Sequence, residues 1–560
     1  MSRHCSVRGF VVAGVALLVA ASAQSVRAAE MQGVVKSASG APVSGAFVKL
    51  QNAERRLTFM VVSQAQGRYT VKNLPAGKYV VQGIGGEMQS PLSAPVDVAD
   101  GRAASVDVSL TAQRAPALPN AWPGRAPGQL GGEGGGAEAP PNLPDGDGKQ
   151  IALTKCSVCH TPGRIVGYRT DREGWQETIA DMRLYMEGST RGVSLTDQET
   201  AVLLEYVVSN FAEGVAGRAP APKPDPNSRL PRTLVTGEAA RYVAVEYEIP
   251  TVNTEPHEVT VDTDGNGWVT QRRGGKLGRL DPKTLTYSEV ATPPAKSSNV
   301  QLNAIWAEPN NKLWFIDVGP NRRWYTYDTK TSEFNIYEMS TKLRSGGAGG
   351  NTMRVHPNGT VWFNAIGNNT VIRLDPRTKE FTGFEVPAGV AAGRSASPYG
   401  MAIAGDGKIW IALNSMSKMG RVDPVTGRIE EFDLPVQNAL PRKGGPDRDG
   451  NVWFGLHGAN HIVKIDSGTA KMSLYTPPTP DSGPYAASVD LKNNLVWVAQ
   501  QQADKIARFD PRTETWIEFA LANAEEDHRR LEVDQSNPNR VWWSGNNSNR
   551  IGYIELLNGN

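Results

Sequence analysis

Asp264-Gly265-Asn266-Gly267-Trp268 decides the fold, because its pattern returns as Asp406-Gly407-Lys408-Ile409-Trp410 and, more loosely, at five further places. Tryptophans stand at positions 268, 314, 362, 410, 453, 497 and 542, at intervals of 43 to 48 residues. A period of that length marks a repeat architecture rather than a single large core. Thirteen or fourteen residues after the tryptophan comes a turn of the form Asp-Pro-x-Thr. Asp281-Pro282-Lys283-Thr284, Asp375-Pro376-Arg377-Thr378, Asp423-Pro424-Val425-Thr426 and Asp510-Pro511-Arg512-Thr513 fit it fully, while Asp328 and Asp466 open looser versions. Asp first and Pro second suit a type I turn between strands. Four short strands per repeat is the arithmetic of a β-propeller, and seven repeats predict seven blades. The last repeat stops at Ile554-Glu555-Leu556, without an outer strand. Val245-Glu246-Tyr247-Glu248-Ile249-Pro250, ahead of the first repeat, is predicted to complete that blade and close the ring. The tryptophans are expected to pack between blades.

First strands line a propeller's central channel. Eleven residues before each tryptophan, allowing short insertions in the last two blades, stand His257, Asn303, Asn351, Tyr399, Arg442, Tyr485 and Arg529. All seven are hydrogen-bonding. Two readings stay open: a solvated channel wall, or a polar pocket whose two guanidinium groups suit a substrate bearing a carboxylate or other oxygen acceptors. Glu255-Pro256-His257 is the sharpest local motif. On it, and on the repeat over some 310 residues, this region resembles the virginiamycin B (streptogramin B) lyases. The resemblance implies a glutamate that helps to hold Mg²⁺ and histidines that open an ester by elimination. The sequence departs from that pattern at two places. Gln271 stands where the second metal-binding glutamate is expected, and a neutral amide is a poor replacement for a carboxylate on Mg²⁺. Arg529 stands where a histidine is expected one blade earlier, with His528 beside it but out of register. Catalytic residues are therefore not assigned from the sequence.

The chain has 560 residues, too many for one core, and a formal charge of +2 with 21% charged residues. Such a balance gives no field that favours nucleic acid. Arg3, His4 and Arg8 precede an apolar run from Phe10 to Ala21 and then small residues, which reads as a secretory signal cleaved after Ala23, Ala28 or Ala29. No membrane span is expected after cleavage. Cys5 leaves with the signal, so Cys156 and Cys159 are the thiols of the mature chain.

Those two lie in Lys155-Cys156-Ser157-Val158-Cys159-His160, the attachment pattern for one haem c. Each thiol would add to a haem vinyl group and His160 would ligate the iron. Export and this motif support each other, since haem c is attached outside the bacterial cytoplasm; the expected address is the periplasm. A helix over 148–161 is predicted to deliver the cysteines. Thr170-Asp171-Arg172-Glu173 reads as a capping box opening a second helix, with Trp175, Ile179, Met182 and Met186 on one face. Thr196-Asp197-Gln198-Glu199 opens a third, with Val202, Leu203, Tyr206 and Val207 inward. Periodicity does not separate Met182 from Met186 as the sixth ligand. With Trp175, Met182, Leu195, Thr196, Glu199 and Tyr206 the segment resembles small cytochromes c, which implies Met182 as the axial ligand, Met186 being the alternative. A pentacoordinate haem, a sensor or a peroxidase, is also open.

Residues 30–111 read as short strands between turns, a small β-sandwich. Gly33, Gly40, Pro42, Gly45, Ala46, Gly67, Tyr69, Leu74, Gly77 and Tyr79 carry a resemblance to carboxypeptidase regulatory-like domains, which implies an accessory or spacer module. The full reading is a mainly β multidomain chain: signal 1–29, sandwich 30–111, Pro/Gly linker 112–142, all-α haem domain 143–213, Pro-rich linker 214–242 and seven-bladed propeller 243–560. Functionally it predicts a periplasmic electron-transfer protein with a redox partner protein, the propeller binding that partner or a small polar or anionic substrate. The alternatives are a propeller-based enzyme, either a C–O lyase or an oxidoreductase feeding the haem, and a haem-bearing sensor.

Overall fold

The computed structural model describes residues 29–118, 143–156, 171–187, 194–212, 225–319, 321–339, 350–366, 369–393 and 395–557. The C-terminal region is a ring of seven four-stranded antiparallel sheets. Blades 1 to 6 run inside to outside as four consecutive strands, beginning at Pro256–Val261, Leu302–Ala307, Met353–Val355, Pro398–Ile403, Pro441–Pro446 and Pro484–Asp490. Blade 7 takes three strands from His528–Val533, Arg540–Gly545 and Arg550–Leu556, and its fourth from Tyr242–Glu248. Glu555 pairs with Val243 and Arg550 with Glu248, so the closure expected from the sequence is present, with the strand starting at Tyr242.

Burial grades outward and explains the residue choice. Second strands such as Val452–Leu456 are buried on both faces because neighbouring blades cover them, whereas fourth strands such as Ile429–Asp433 are only half-buried. The seven tryptophans are all buried, on second strands. In five blades a basic residue directly across on the third strand sits over the indole: Arg279, Arg373, Arg421, Lys464 and Arg508, 5.6 to 6.0 Å from the ring centre. Asp262 and Asp447 each accept the indole N–H of their own blade's tryptophan, at 2.8 and 2.9 Å, and also cap the turn before it.

Residues 29–113 form the sandwich. Ala29 is already in its first strand, buried and paired with Leu74, so the domain begins one residue before the expected boundary. It is not a detached spacer. Its strand Leu57–Val62 pairs antiparallel with Tyr242–Glu248, Val61 opposite Val243 and Leu57 opposite Tyr247. The outer edge of blade 7, which would otherwise expose unpaired backbone groups, thus continues into a ten-stranded sheet. The described part of the second Pro-rich segment packs against this junction. Arg114 donates to the carbonyls of Asn227, Leu230 and Pro231 at 2.7 to 3.0 Å, Lys49 Nζ donates to Asn227 Oδ1 at 2.7 Å, and Leu230 is in the core. Here the segment is a strap, held by its carbonyls and by Leu230, rather than a free tether. Ala112–Gln113 likewise belongs to the sandwich, pairing with Met88–Gln89, so the first linker starts beyond it.

Three α-helices, Asp147–Thr154, Arg172–Glu187 and Asp197–Phe211, are described in the segment between the linkers. The first starts at Asp147, one residue earlier than predicted, and ends at Thr154, before Cys156. Asp171 caps the second by accepting from Gly174 N at 2.9 Å, a residue later than the predicted cap Thr170, which lies outside the described residues. The third opens with the predicted box: Thr196 and Glu199 bond each other's backbone N–H. Trp175, Ile179, Leu203, Tyr206 and Val207 form a small core with Cys156.

Candidate ligand site at the propeller mouth

The seven predicted channel residues all lie at the start of first strands or just before them. First strands contact each other in sequence order around the ring, and that of blade 7 meets that of blade 1. Six of them carry a register shift where the channel residue falls, for example between Pro256 and Val259 and between Pro441 and Gly444. A bulge re-aims side chains and brings the next residue inward as well. The residue entering the bulge is held left-handed in five blades: Glu255, Ser397, Leu440, Gly483 and Asp527, with φ from 44° to 62°. Four of these are not glycine, a conformation that costs about 1 kcal/mol or more each. Gly400 is required by its surroundings, since a Cβ there would sit 1.8 Å from the Arg442 carbonyl oxygen.

Contacts between non-adjacent blades show what crosses the channel. Lys443 of blade 5 pairs with Glu258 of blade 1, both fully buried. Tyr399 of blade 4 and Tyr485 of blade 6 share a hydroxyl–hydroxyl hydrogen bond. Arg354 of blade 3 donates to the Gly444 carbonyl of blade 5 at 2.9 Å while resting on Trp306. Glu258, Lys443 and Arg354 escaped the sequence reading because counting back from the tryptophans singles out one position per blade; their signal is position, one or three residues after a channel residue.

Arg442 lies 4.5 Å from the Tyr399 ring centre and 5.1 Å from that of Tyr485. Arg529 pairs with Asp527 at 2.8 Å; Asp527 also accepts from Gln501, whose Oε1 meets His457 Nε2 at 2.7 Å. Burial opposes the charge on Arg529, but Asp527, together with the Tyr485 and Tyr399 oxygens, offsets this and holds its pKa above the ordinary value. Burial raises the Tyr485 hydroxyl well above the ordinary phenol range, so it stays protonated.

His257 is fully buried and neither ring nitrogen has a partner. Burial, and then the charges of Lys443, Arg272 and Arg529, hold it well below the ordinary imidazole range, hence neutral, with one ring nitrogen a donor and the other an acceptor. Asn303 and Asn351 are also buried with unpartnered side-chain atoms. Thr270 donates to the Asn303 carbonyl at 2.6 Å, and Asn364 to that of Tyr399, so the residue two beyond a tryptophan fixes the next blade's channel residue.

The donors do not fit a magnesium ion. Glu255 is paired with Arg273 at 2.8 Å. Gln271 turns its amide N–H toward Glu289 Oε1 and Tyr287 Oη, at 2.8 and 3.0 Å. No group of three or more His, Cys, Asp or Glu among the described residues is placed to hold a metal. His528 is not in the mouth; its Nε2–H donates to the Lys505 carbonyl at 2.8 Å and burial pushes its pKa down to about 4. For the haem motif the structure describes Cys156, buried, and Met182, half-buried. Cys159 and His160 lie outside the described residues, as does the Met186 side chain.

A closed seven-bladed ring with a polar, cation-rich mouth, joined to a β-sandwich, is the class of protein that these features define. Residues 329–559 match the model of the virginiamycin B lyase family and residues 30–111 that of the carboxypeptidase regulatory-like domain. The virginiamycin B lyase of Nocardia farcinica is 28% identical over 219 residues, 35% of this chain and 75% of that protein. A streptogramin B lyase structure superposes with a TM-score of 0.50 at 22% identity, covering 57% of this chain and 100% of that one. The virginiamycin B lyase of Staphylococcus aureus gives 0.48 at 19%, covering 56% and 98%. The chain therefore carries a virginiamycin B lyase-like propeller. The family match begins within blade 2, so Glu255, His257 and Gln271 fall outside it.

Proposed function

We propose that the propeller mouth is a site for a small polar molecule bearing an oxyanion, in an exported protein. The observation that carries this is His257: neutral, buried, unpartnered at both nitrogens and surrounded by Lys443, Arg272 and Arg529. Unsatisfied buried polar atoms cost about 1–3 kcal/mol each, a cost that a bound polar ligand removes. Neutral His257 would offer the ligand one ring nitrogen as a hydrogen-bond acceptor and the other as a donor, while the guanidinium groups face negative charge. Likeness to the lyases supports a binding or catalytic propeller, but Glu255 engaged by Arg273 and an amide at 271 weigh against their ester elimination. Incubating the full chain with a streptogramin B-type cyclic depsipeptide tests this: the ring is expected to stay closed. Ring opening that disappears in His257→Ala would make the protein a lyase.

A second reading rests on Cys156-Ser157-Val158-Cys159-His160. We propose that Cys156 and Cys159 bind haem c covalently, with His160 and Met182, or Met186, as axial ligands, in a periplasmic protein that exchanges electrons with a partner protein. Bound haem would supply one-electron exchange. Protein made with the haem-attachment machinery is expected to show a low-spin c-type absorption spectrum, altered in Met182→Ala. Absence of covalent haem would leave the propeller site as the whole function.

A further inference from the structure

Among the described residues, one charge at the mouth stands out as unanswered by the fold. Four other cations at or crossing it have a carboxylate partner or backbone acceptors: Lys443 has Glu258, Arg529 has Asp527, Arg530 has Glu532, and Arg354 donates to two carbonyls. Arg442 has none. It is 3% exposed, and it makes no hydrogen bond or ion pair among the described residues. Its contacts are the Tyr399 and Tyr485 rings. Those contacts engage the charge but leave the N–H groups available. A buried guanidinium without an acceptor is unstable as a structural element, so its position calls for an anion from outside.

We propose that Arg442, lodged against Tyr399 and Tyr485, is the residue that reads the ligand, and that the ligand is a small carboxylate bound bidentately. The assignment rests on the mouth being a ligand site and adds the class of ligand. A guanidinium presents parallel N–H donors that match the two oxygens of a carboxylate, which an ammonium does not. Tyr485, held as a hydroxyl, stands beside it as a neutral group that does not repel the incoming charge. The Gly400 contact fixes the Arg442 backbone against blade 4, so the guanidinium is placed before the ligand arrives. No metal is needed in this arrangement, in keeping with Glu255 and Gln271 being engaged elsewhere.

Calorimetric titration of the full chain with succinate and benzoate, and with the neutral isosteres succinamide and benzamide, tests the assignment. The acids are expected to bind and the amides not. Arg442→Lys, which keeps the charge and loses the fork, is expected to weaken binding by about tenfold or more, and Arg442→Met to abolish it. Both variants should fold, because each removes an unsatisfied guanidinium; thermal unfolding checks this. Amides binding as well as acids, or Arg442→Lys retaining wild-type affinity, would overturn the role of Arg442. If in that case His257→Ala still abolished binding, the mouth would remain the ligand site. Failure of every compound to bind at millimolar concentration would sink the carboxylate class.

Discussion

The mouth and the sandwich–propeller junction are both built from buried charged side chains, and they differ in how those charges are met. At the junction Lys49 donates to Asn227 and Asn523, and Glu246 accepts from Ala522 N at 2.8 Å and from Asn523. Asp504 takes two backbone N–H groups at 2.7 and 3.0 Å and lies 3.6 Å from Arg229. Glu526 meets Arg550 at 3.1 Å and Ser548. At the mouth, His257, Asn303, Asn351 and Arg442 hold unpartnered atoms. At the junction single atoms are left over, as at Arg114 Nε and Arg229 Nε, but each charged group there keeps at least one hydrogen-bond or ion-pair partner, since a charge left wholly unmet costs most. A polar cluster that serves binding keeps acceptors and donors for a molecule that comes and goes.

The sharpest way to break this contrast is to cut one residue from each cluster. Glu246→Ala leaves the Ala522 N–H and the Asn523 amide without their acceptor and takes away the negative charge that acts most on buried Lys49, and is expected to reduce stability by about 1–3 kcal/mol for each acceptor lost, read from the denaturant midpoint. His257→Ala removes only unsatisfied atoms and is expected to stay within about 1 kcal/mol of wild type. Equal losses from the two would mean that the mouth is as structural as the junction.

The shared sheet offers a second test. Thr58→Pro removes a backbone donor from the strand that joins sandwich to blade 7, and should cost about 1–3 kcal/mol. Hydrogen exchange is the more telling measurement: amides of Leu57–Val62 and of Tyr242–Glu248 should lose protection together. If only the sandwich amides speed up, the junction is a contact and not a continuous sheet.

The junction also predicts a pH effect. Burial raises Asp504 from 3.8 to about 7. Between those values the folded protein holds a proton that the unfolded chain has lost, so this residue makes stability fall as pH rises across the window. His528, pushed down to about 4 from 6.5, acts in the opposite sense over much of the same range. Asp504→Asn should therefore gain stability relative to wild type progressively from about pH 4 to about pH 7. A difference that stays flat with pH would show Asp504 ionised throughout.

What the sequence made legible follows from period. Seven tryptophans and the Asp-Pro-x-Thr turns fix blade number and closure, because each blade repeats the same burial problem. The seven channel positions were reachable by counting back from the tryptophans. Glu258 and Lys443 were not, because the bulge that turns them inward leaves no mark in the spacing, and Arg354, in blade 3, whose first strand has no register shift, lies three residues beyond the counted position. Nor could the junction be read: Leu57–Val62 and Tyr242–Glu248 are ordinary strands, and only the unfinished edge of blade 7 shows that they pair. The resemblance at Glu255 and His257 was visible, but whether Glu255 was available depended on Arg273, a partner that only the fold supplies.

Gln271 is where the comparison can be drawn most finely. Three residues after Trp268, it donates to Glu289, which also meets Lys276 at 2.7 Å and Thr251 at 2.8 Å. Three residues after Trp497, Gln500 donates at 2.8 Å to Glu518, which meets Lys505 at 2.9 Å and Thr479 at 2.6 Å. The same four residue types make the same network in blades 1 and 6, so the one in blade 1 owes nothing to the mouth. Gln271→Met and Gln500→Met are expected to cost the same, about 1 kcal/mol each for the lost hydrogen bonds, and neither should change succinate binding. Should Gln271→Met alone disturb the ligand, its unpartnered Oε1 is part of the mouth, and the border between the structural and the binding cluster runs through a single amide.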